Sequence, residues 1–438
     1  MTQTTAHCTF DKQGFDSLLA ARTQPAWVTQ QRKTAWAMFE EKPWPSRSDE
    51  EWIRTDIRLF KLDKFGLPLE APAEKDAKLP SLLGGGVELG GYSHTLNSHH
   101  TASQLDPKWR KKGVIFGSLE AMLNEHADKL QPHLFAHGFK PGYDKFAALH
   151  AACWLGGHVL YVPRGVVIDQ PLHFLSSLSD GGVDLGHTLI VLEEGAEATV
   201  MSETSSLSET DGGMHLGAIE ILQQPGSNLR FVKLQDWGQN VWHFAHQKVN
   251  VDRDAVLQWT VAALGGKLSK VNQTVELIGP GASCQVNGVM FAEGKQHVAY
   301  HTLQHHVAPS CRSDFLYKAA LQDKARTVWR GMIKVDPDAQ KTDGYQRNDN
   351  LLLSNTSRAD SIPGLEINAD DVRCTHGATS GMVDEELIFY AQCRGLTRKE
   401  AIRLIVSGFF QQVFDRITID SVREALSQAI AVRVRESA

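Results

Sequence analysis

A chain of 438 residues, 42% hydrophobic and 22% charged, is long enough to bury a large core and to divide into more than one domain. Its net charge of −6, with no basic stripe beyond the short run from Lys108 to Lys112, argues against a nucleic-acid binder. No apolar run approaches membrane-spanning length and no secretory leader is seen, so no membrane contact and a cytoplasmic location are expected.

The first 152 residues read as a mixed, mainly helical region. Trp27, Val28, Ala35, Trp36 and Phe39 give one partly apolar helix face. Ser48 stands three residues before Glu51, the spacing of a capping box, and Trp52, Ile53 and Ile57 would follow on the apolar side of that helix. Ser118 can cap a helix running to Gln131, with Glu120 in its first turn. Phe146 to Ala152 reads as a short helix.

Residues 153 to 376 change period. Runs such as HVLYVPRGVVIDQPLHF and GAIEILQQPGSNLRFVKL pair short strands with tight turns, centred on Gly195, Gly226, Arg253, Gly281, Ser310, Asp323 and Asp338. The steps lie near 28 residues, and crossover helices are absent. That pattern fits a β-helix solenoid, and the same turns would also serve a β-sandwich. A solenoid's last coil needs a cover, or its edge would pair with other chains.

Residues 377 to 438 read as a helical region that could supply that cover. Thr397 and Glu400 form a capping box. Ile402, Ile405, Val406, Phe409, Phe410, Val413 and Phe414 then recur at helical spacing, a face wide enough for the solenoid or for another subunit. Ser421 and Glu424 would start the last helix. Arg433 and Arg435 would sit at its C-terminal end, where the helix dipole favours a positive charge.

The chemistry-bearing residues are few. Cys8, Cys153, Cys284, Cys311, Cys374 and Cys393 form no CxxC pair, and in so long a chain a disulfide scaffold is not expected; Cys8, Cys153 and Cys393 read as buried small side chains, while stacked coils could bring Cys284, Cys311 and Cys374 near one another. His297, His301 and His305 share a face, but steps of four along a strand set them about 13 Å apart, too far for one ion. Asp370, Asp371, Glu385 and Glu386 read as a solvated acidic rim. No nucleophile elbow, zincin motif or Walker A loop is present, so the chain is expected neither to hydrolyse ATP nor to act as an enzyme. Cys374 and His376 stand two apart. On a strand they share one face, about 7 Å apart between Cα atoms, and with partners from elsewhere they could bind a metal or carry sulfur chemistry.

The runs LEINADDVRCTHGATSGMVDEELIFYAQCRGLTRKEA, ALQDKARTVWRGMIKVDPDAQKTDGYQRNDNLLLS and GGHVLYVPRGVVIDQPLH closely resemble the SufB/SufD family, over residues 145 to 415. The length and the HGATSG stretch favour the SufD branch; the acidic-histidine group of SufB-like proteins is not found between Val372 and Gly381. The resemblance implies a right-handed parallel β-helix flanked by helical regions. It implies a scaffold subunit without ATPase activity, which pairs with a SufB-like subunit and contacts a SufC-like ATPase. The complex would receive sulfur indirectly from a donor, build a transient iron–sulfur cluster at the partner interface and draw on reduced flavin. By the same resemblance His376 is an iron ligand at that interface, Cys374 an auxiliary thiol beside it, and Ile402, Ile405 and Phe409 the basis of the ATPase contact. An isolated chain could pair with itself. The rival readings are a purely structural platform and a β-helical enzyme acting on polysaccharide; the latter usually shows carboxylates paired across a groove.

Overall fold

Period-two alternation and tight corners wind the middle of the chain into a parallel β-solenoid of about eight turns. The structure, a computed structural model, describes residues 8–72, 77–136 and 138–434. One ladder runs through Leu172–Leu178, Glu197–Ser206, Asn228–Asp236, Val256–Ala263, Ser283–Ala292, Arg312–Leu321, Asp343–Leu352 and Arg373–Met382. The other runs through Gly157–Val162, His187–Leu192, Gly212–Gln223, Asn240–Val251, Leu268–Leu277, His297–His306, Arg326–Val335 and Arg358–Ile367. Asn228 registers with Glu197, Val256 with Asn228 and Ser283 with Val256, so a coil takes about 30 residues. Parallel pairing in both ladders excludes the sandwich, whose hairpins would give antiparallel neighbours.

The corners require left-handed backbone. Gly195 (φ 66°) and Gly226 (φ 67°) adopt it freely, while Asp254, Ser310 and Asp323 adopt it at other corners. Inward side chains form one continuous cluster that includes Val200, Phe231, Trp259, Val286, Tyr300, Phe315 and Trp329. Gly331 leaves the space that the Trp329 ring fills: a Cβ there would lie 2.2 Å from the ring. Replacing Trp329 by alanine is expected to cost about 3–5 kcal/mol, read as a lower urea midpoint at unchanged slope.

The N-terminal end of the solenoid is closed. The hairpin Gly91–Leu96 and His99–Leu105 adds to the first ladder, and Ile115–Ser118 lies antiparallel to Gly157–Val162 on the second. These strands fall in the stretch expected to be mainly helical. The helices Lys12–Ala20, Ala26–Glu41 and Lys145–Cys153 do form, and their aromatic faces pack on the outside of the second ladder against Trp242 and Phe244. The Ser48–Glu51 box caps no helix. That segment is a string of turns, because burying Trp52 against Phe146 and Phe244 outweighs local helix preference.

The last strand runs past residue 376 to Met382. Three helices follow, Glu385–Gln392, Arg398–Phe414 and Asp420–Arg433. The Thr397–Glu400 capping box is formed, whereas the last helix starts at Asp420 without a side-chain cap. Arg433 pairs with Asp236 at 2.7 Å; Arg435 lies outside the described residues. The tail does not cover the last coil. Val232, Leu234, Val289, Phe291 and Leu316 point outward from the first ladder, and this apolar flank receives Ile402, Val406, Phe410, Val413 and Leu426. Among the described residues, no helix is long and apolar enough to cross a membrane.

Candidate functional site

The uncovered C-terminal end of the solenoid is where the sequence's sharpest pair lies. Cys374 registers with Gly344 and His376 with Gln346, so both continue a row that faces the solenoid interior. On the opposite ladder Ser361, Leu365 and Ile367 continue the core row of Trp329, Ile333 and Val335. With no further coil among the described residues, these core-type positions open to solvent: Leu365 is 39% and Ile367 37% exposed. His376 is exposed and Cys374 half-buried. The two are thus brought to one face of one strand, as their spacing predicts.

The two free edges differ. Arg373 N–H donates to Thr342 and Val383 N–H to Leu352, so odd-numbered residues of the last strand bond inward. The N–H groups of Cys374, His376, Ala378, Ser380 and Met382 therefore face the open edge as an unbroken row of donors. On the other edge Arg358 and Asn368 donate inward, which leaves the odd-numbered residues outward. Pro363 is one of these and has no N–H, so that edge is blunted at its middle. The edge that carries His376 is thus the one with an uninterrupted row of outward N–H groups.

The local environment sorts the two side chains. Cys374 packs beside Ile333, Val335 and Ala339, and burial pushes its thiol above the ordinary value. A raised thiol is a poorer source of thiolate. Gln346, fully buried in register with His376, donates from Nε2 to Gly331 O (3.3 Å) and Gly364 O (3.0 Å), while its Oε1 has no donor among the described residues. Beyond His376, Thr379 Oγ1 donates to Asp349 (2.7 Å). Lys318 lies 3.8 Å from Asp349 and donates to the Phe409 carbonyl, tying the strand to the tail.

The other predicted residues fall elsewhere. Ile402 is buried in the core beneath the tail, and Ile405 and Phe409 are half-buried at its margin. That face is occupied within the chain, and Ile402 in particular offers no surface to a partner. Among the described residues, the large apolar side chains the tail exposes are Leu387, Phe389 (69%) and Tyr390 on its first helix, Leu404 on its second and Val432 on its last. Four consecutive apolar residues, Leu387 to Tyr390, cannot all face inward on a helix, and that signal went unused in the sequence. His297, His301 and His305 lie on the outer face of one strand. His305 Nε2 is held by Asp336 (3.0 Å), while His306 turns inward to Ser313 Oγ (2.8 Å). Cys284 and Cys311 lie in the main core, apart from Cys374. Cys153 is buried and Cys8 half-buried, but Cys393, expected to be buried, is exposed. Among the described residues no group of three or more His, Cys, Asp or Glu side chains is placed to hold a metal ion.

Residues 174–409 match the family described as SUF system FeS cluster assembly, SufBD core domain, and residues 15–174 match the SufBD protein N-terminal region. An iron–sulfur cluster assembly SufBD family protein of Mycobacterium leprae is 33% identical over 296 residues, 66% of this chain and 74% of the relative. Its counterpart in Mycobacterium tuberculosis is 31% identical over 296 residues, 66% of this chain and 73% of the relative. The iron–sulfur cluster assembly protein SufB of Bacillus subtilis is 27% identical over 370 residues, 83% and 76% of the two chains. With both halves matched and the solenoid in place, the chain belongs to the SufBD family of iron–sulfur cluster assembly proteins.

Proposed function

We propose that this chain is a SufD-type scaffold subunit, without catalytic activity of its own, whose open coil pairs with a SufB-type subunit. The cluster is its cargo, assembled at the seam between them with His376 as one iron ligand. The observation that carries this reading is an exposed imidazole on an unpaired strand edge, at the mouth of a core left open. One imidazole and one thiol do not complete a cluster's ligands, so sulfide and the partner supply the rest. A neutral ring nitrogen of His376 takes the iron. The Oε1 of Gln346, one register step beneath, is an acceptor for the other ring N–H and would fix the tautomer. Cys374, its thiol raised by burial, is auxiliary. The partner strand excludes water while the cluster forms, and separation of the two mouths releases it, which a closed set of four cysteines would resist. Reduced flavin and the sulfur donor belong to the assembled complex, and no residue of this chain is assigned to either.

The ATPase is assigned to the exposed side of the tail helices, at Leu387, Phe389, Tyr390 and Leu404. This patch begins five residues after the His376 strand ends, so a subunit docked there can pull on the seam. The test is to mix the purified chain with a SufB-type subunit and a SufC-type ATPase and to weigh the complexes formed. Phe389→Asp is expected to weaken ATPase binding more than about tenfold, since burial of one aromatic side chain is worth about 1.5–3 kcal/mol. Pairing with the SufB-type subunit should persist. A complex that retains its ATPase in this variant removes the docking assignment. A purely structural platform would form the same complexes, and the cluster measurements in the Discussion separate the two.

A further inference from the structure

A second concavity lies far from the seam, between the N-terminal helices and the start of the solenoid. Its volume is about 240 Å³, and its polar lining comprises Arg22, Thr23, Gln24, Arg32, Glu120 and Asn124. Arg32 is 1% exposed. Its Nε donates to Gln24 (3.0 Å), its Nη1 to the carbonyls of Ala152 and Trp154 (3.1 and 2.8 Å), and its plane stacks on the Trp154 ring (4.2 Å). Every one of these partners is neutral. Nη2 makes no hydrogen bond among the described residues, and no ion pair there includes Arg32. A buried guanidinium whose hydrogen-bond partners are all neutral is costly; Glu120 acts on it only through space while paired with Arg22, and an anion in the cavity would supply a direct counter-charge.

Two further features act in the same sense. The cavity takes in Pro25 and Val28, at the start of the 16-residue helix Ala26–Glu41, whose N-terminus has no side-chain cap. The Val28 N–H is taken by the Pro25 carbonyl, so what this end contributes is its dipole, which favours negative charge. Arg22 lines the same cavity, 3.2 Å from Glu120. Two guanidinium groups, one carboxylate and a helix N-terminus leave the cavity net positive. Its size admits on the order of eight waters and falls below the range usual for larger organic ligands. That matches a tetrahedral oxyanion with at most a small organic group attached.

We propose that this cavity binds a small oxyanion of the phosphate class, free phosphate or a phosphate monoester, between Arg22 and Arg32 at the start of the helix. Arg22 can present paired donors to the anion and Arg32 its remaining Nη2, and Glu120 competes with the anion for Arg22. The test follows thermal unfolding of the full chain against inorganic phosphate at constant ionic strength, balanced with chloride. The midpoint should rise saturably with phosphate. Arg22→Gln should raise the fitted Kd at least tenfold, and Glu120→Gln, which removes the competing carboxylate, should lower it severalfold. Arg32 is left intact because it also ties the helix to the solenoid. A parallel titration with ribose 5-phosphate distinguishes the source: tighter binding than phosphate assigns the monoester, weaker binding assigns the free ion. The site is overturned if the midpoint does not rise above the chloride control, or if the fitted Kd is indifferent to both substitutions.

Discussion

Ala378→Pro should leave the chain folded and prevent it from pairing with a SufB-type subunit. Ala378 is exposed, and its N–H faces the free edge, so proline removes no bond to the neighbouring strand Asp343–Leu352. The partner loses a donor in the middle of the row and meets a ring where its backbone must approach. One such bond is worth about 0.5–1.5 kcal/mol, and the steric block adds to it, so the Kd for pairing should rise more than about tenfold. Sedimentation of the mixed subunits measures this, with the urea midpoint of the single chain as folding control. Gly377→Pro gives the opposite pattern, because the Gly377 N–H belongs to the inward-bonding set and its loss destabilises the chain itself. Equal pairing by the Ala378→Pro chain and the unaltered chain would show that the partner does not add a strand to this edge.

His376→Ala should leave both folding and pairing unchanged and reduce cluster assembly at least about tenfold, the order of loss expected when a metal site's support is damaged. The side chain is exposed, so its removal opens no cavity. Anaerobic reconstitution of the full complex, with iron and acid-labile sulfide counted per complex, provides the measurement. Cys374→Ser should have the smaller effect, since burial holds that thiol away from the thiolate form. Normal iron and sulfide content in the His376→Ala complex would leave the chain as a structural platform only.

How much of this was legible in the sequence depends on how strongly each feature writes itself into side-chain order. The coils were legible because a corner must be small or left-handed, and Gly195, Gly226 and Gly281 mark the corners directly. The Cys374–His376 pair was legible because strand geometry is local: two residues apart is one face whatever the rest of the chain does. The destination of the tail was not. Phe231 points inward, while Val232 and Leu234 point to the helices, and a strand buried on both sides carries no alternation to say which side is which. The early strands were missed because GYSHTL and HHTASQL are too polar to announce themselves; they are strands because they finish the ladders of others. The Ser48–Glu51 box misled because local capping is worth about 1 kcal/mol, less than one buried tryptophan.

The two ends of the solenoid are unlike, and this limits what the molecule can become. One end is sealed by its own antiparallel strands, and the other is unfinished. Two solenoids joined mouth to mouth would have no mouth left. Growth by that route would therefore terminate at two solenoids, where a solenoid unfinished at both ends would string into a filament.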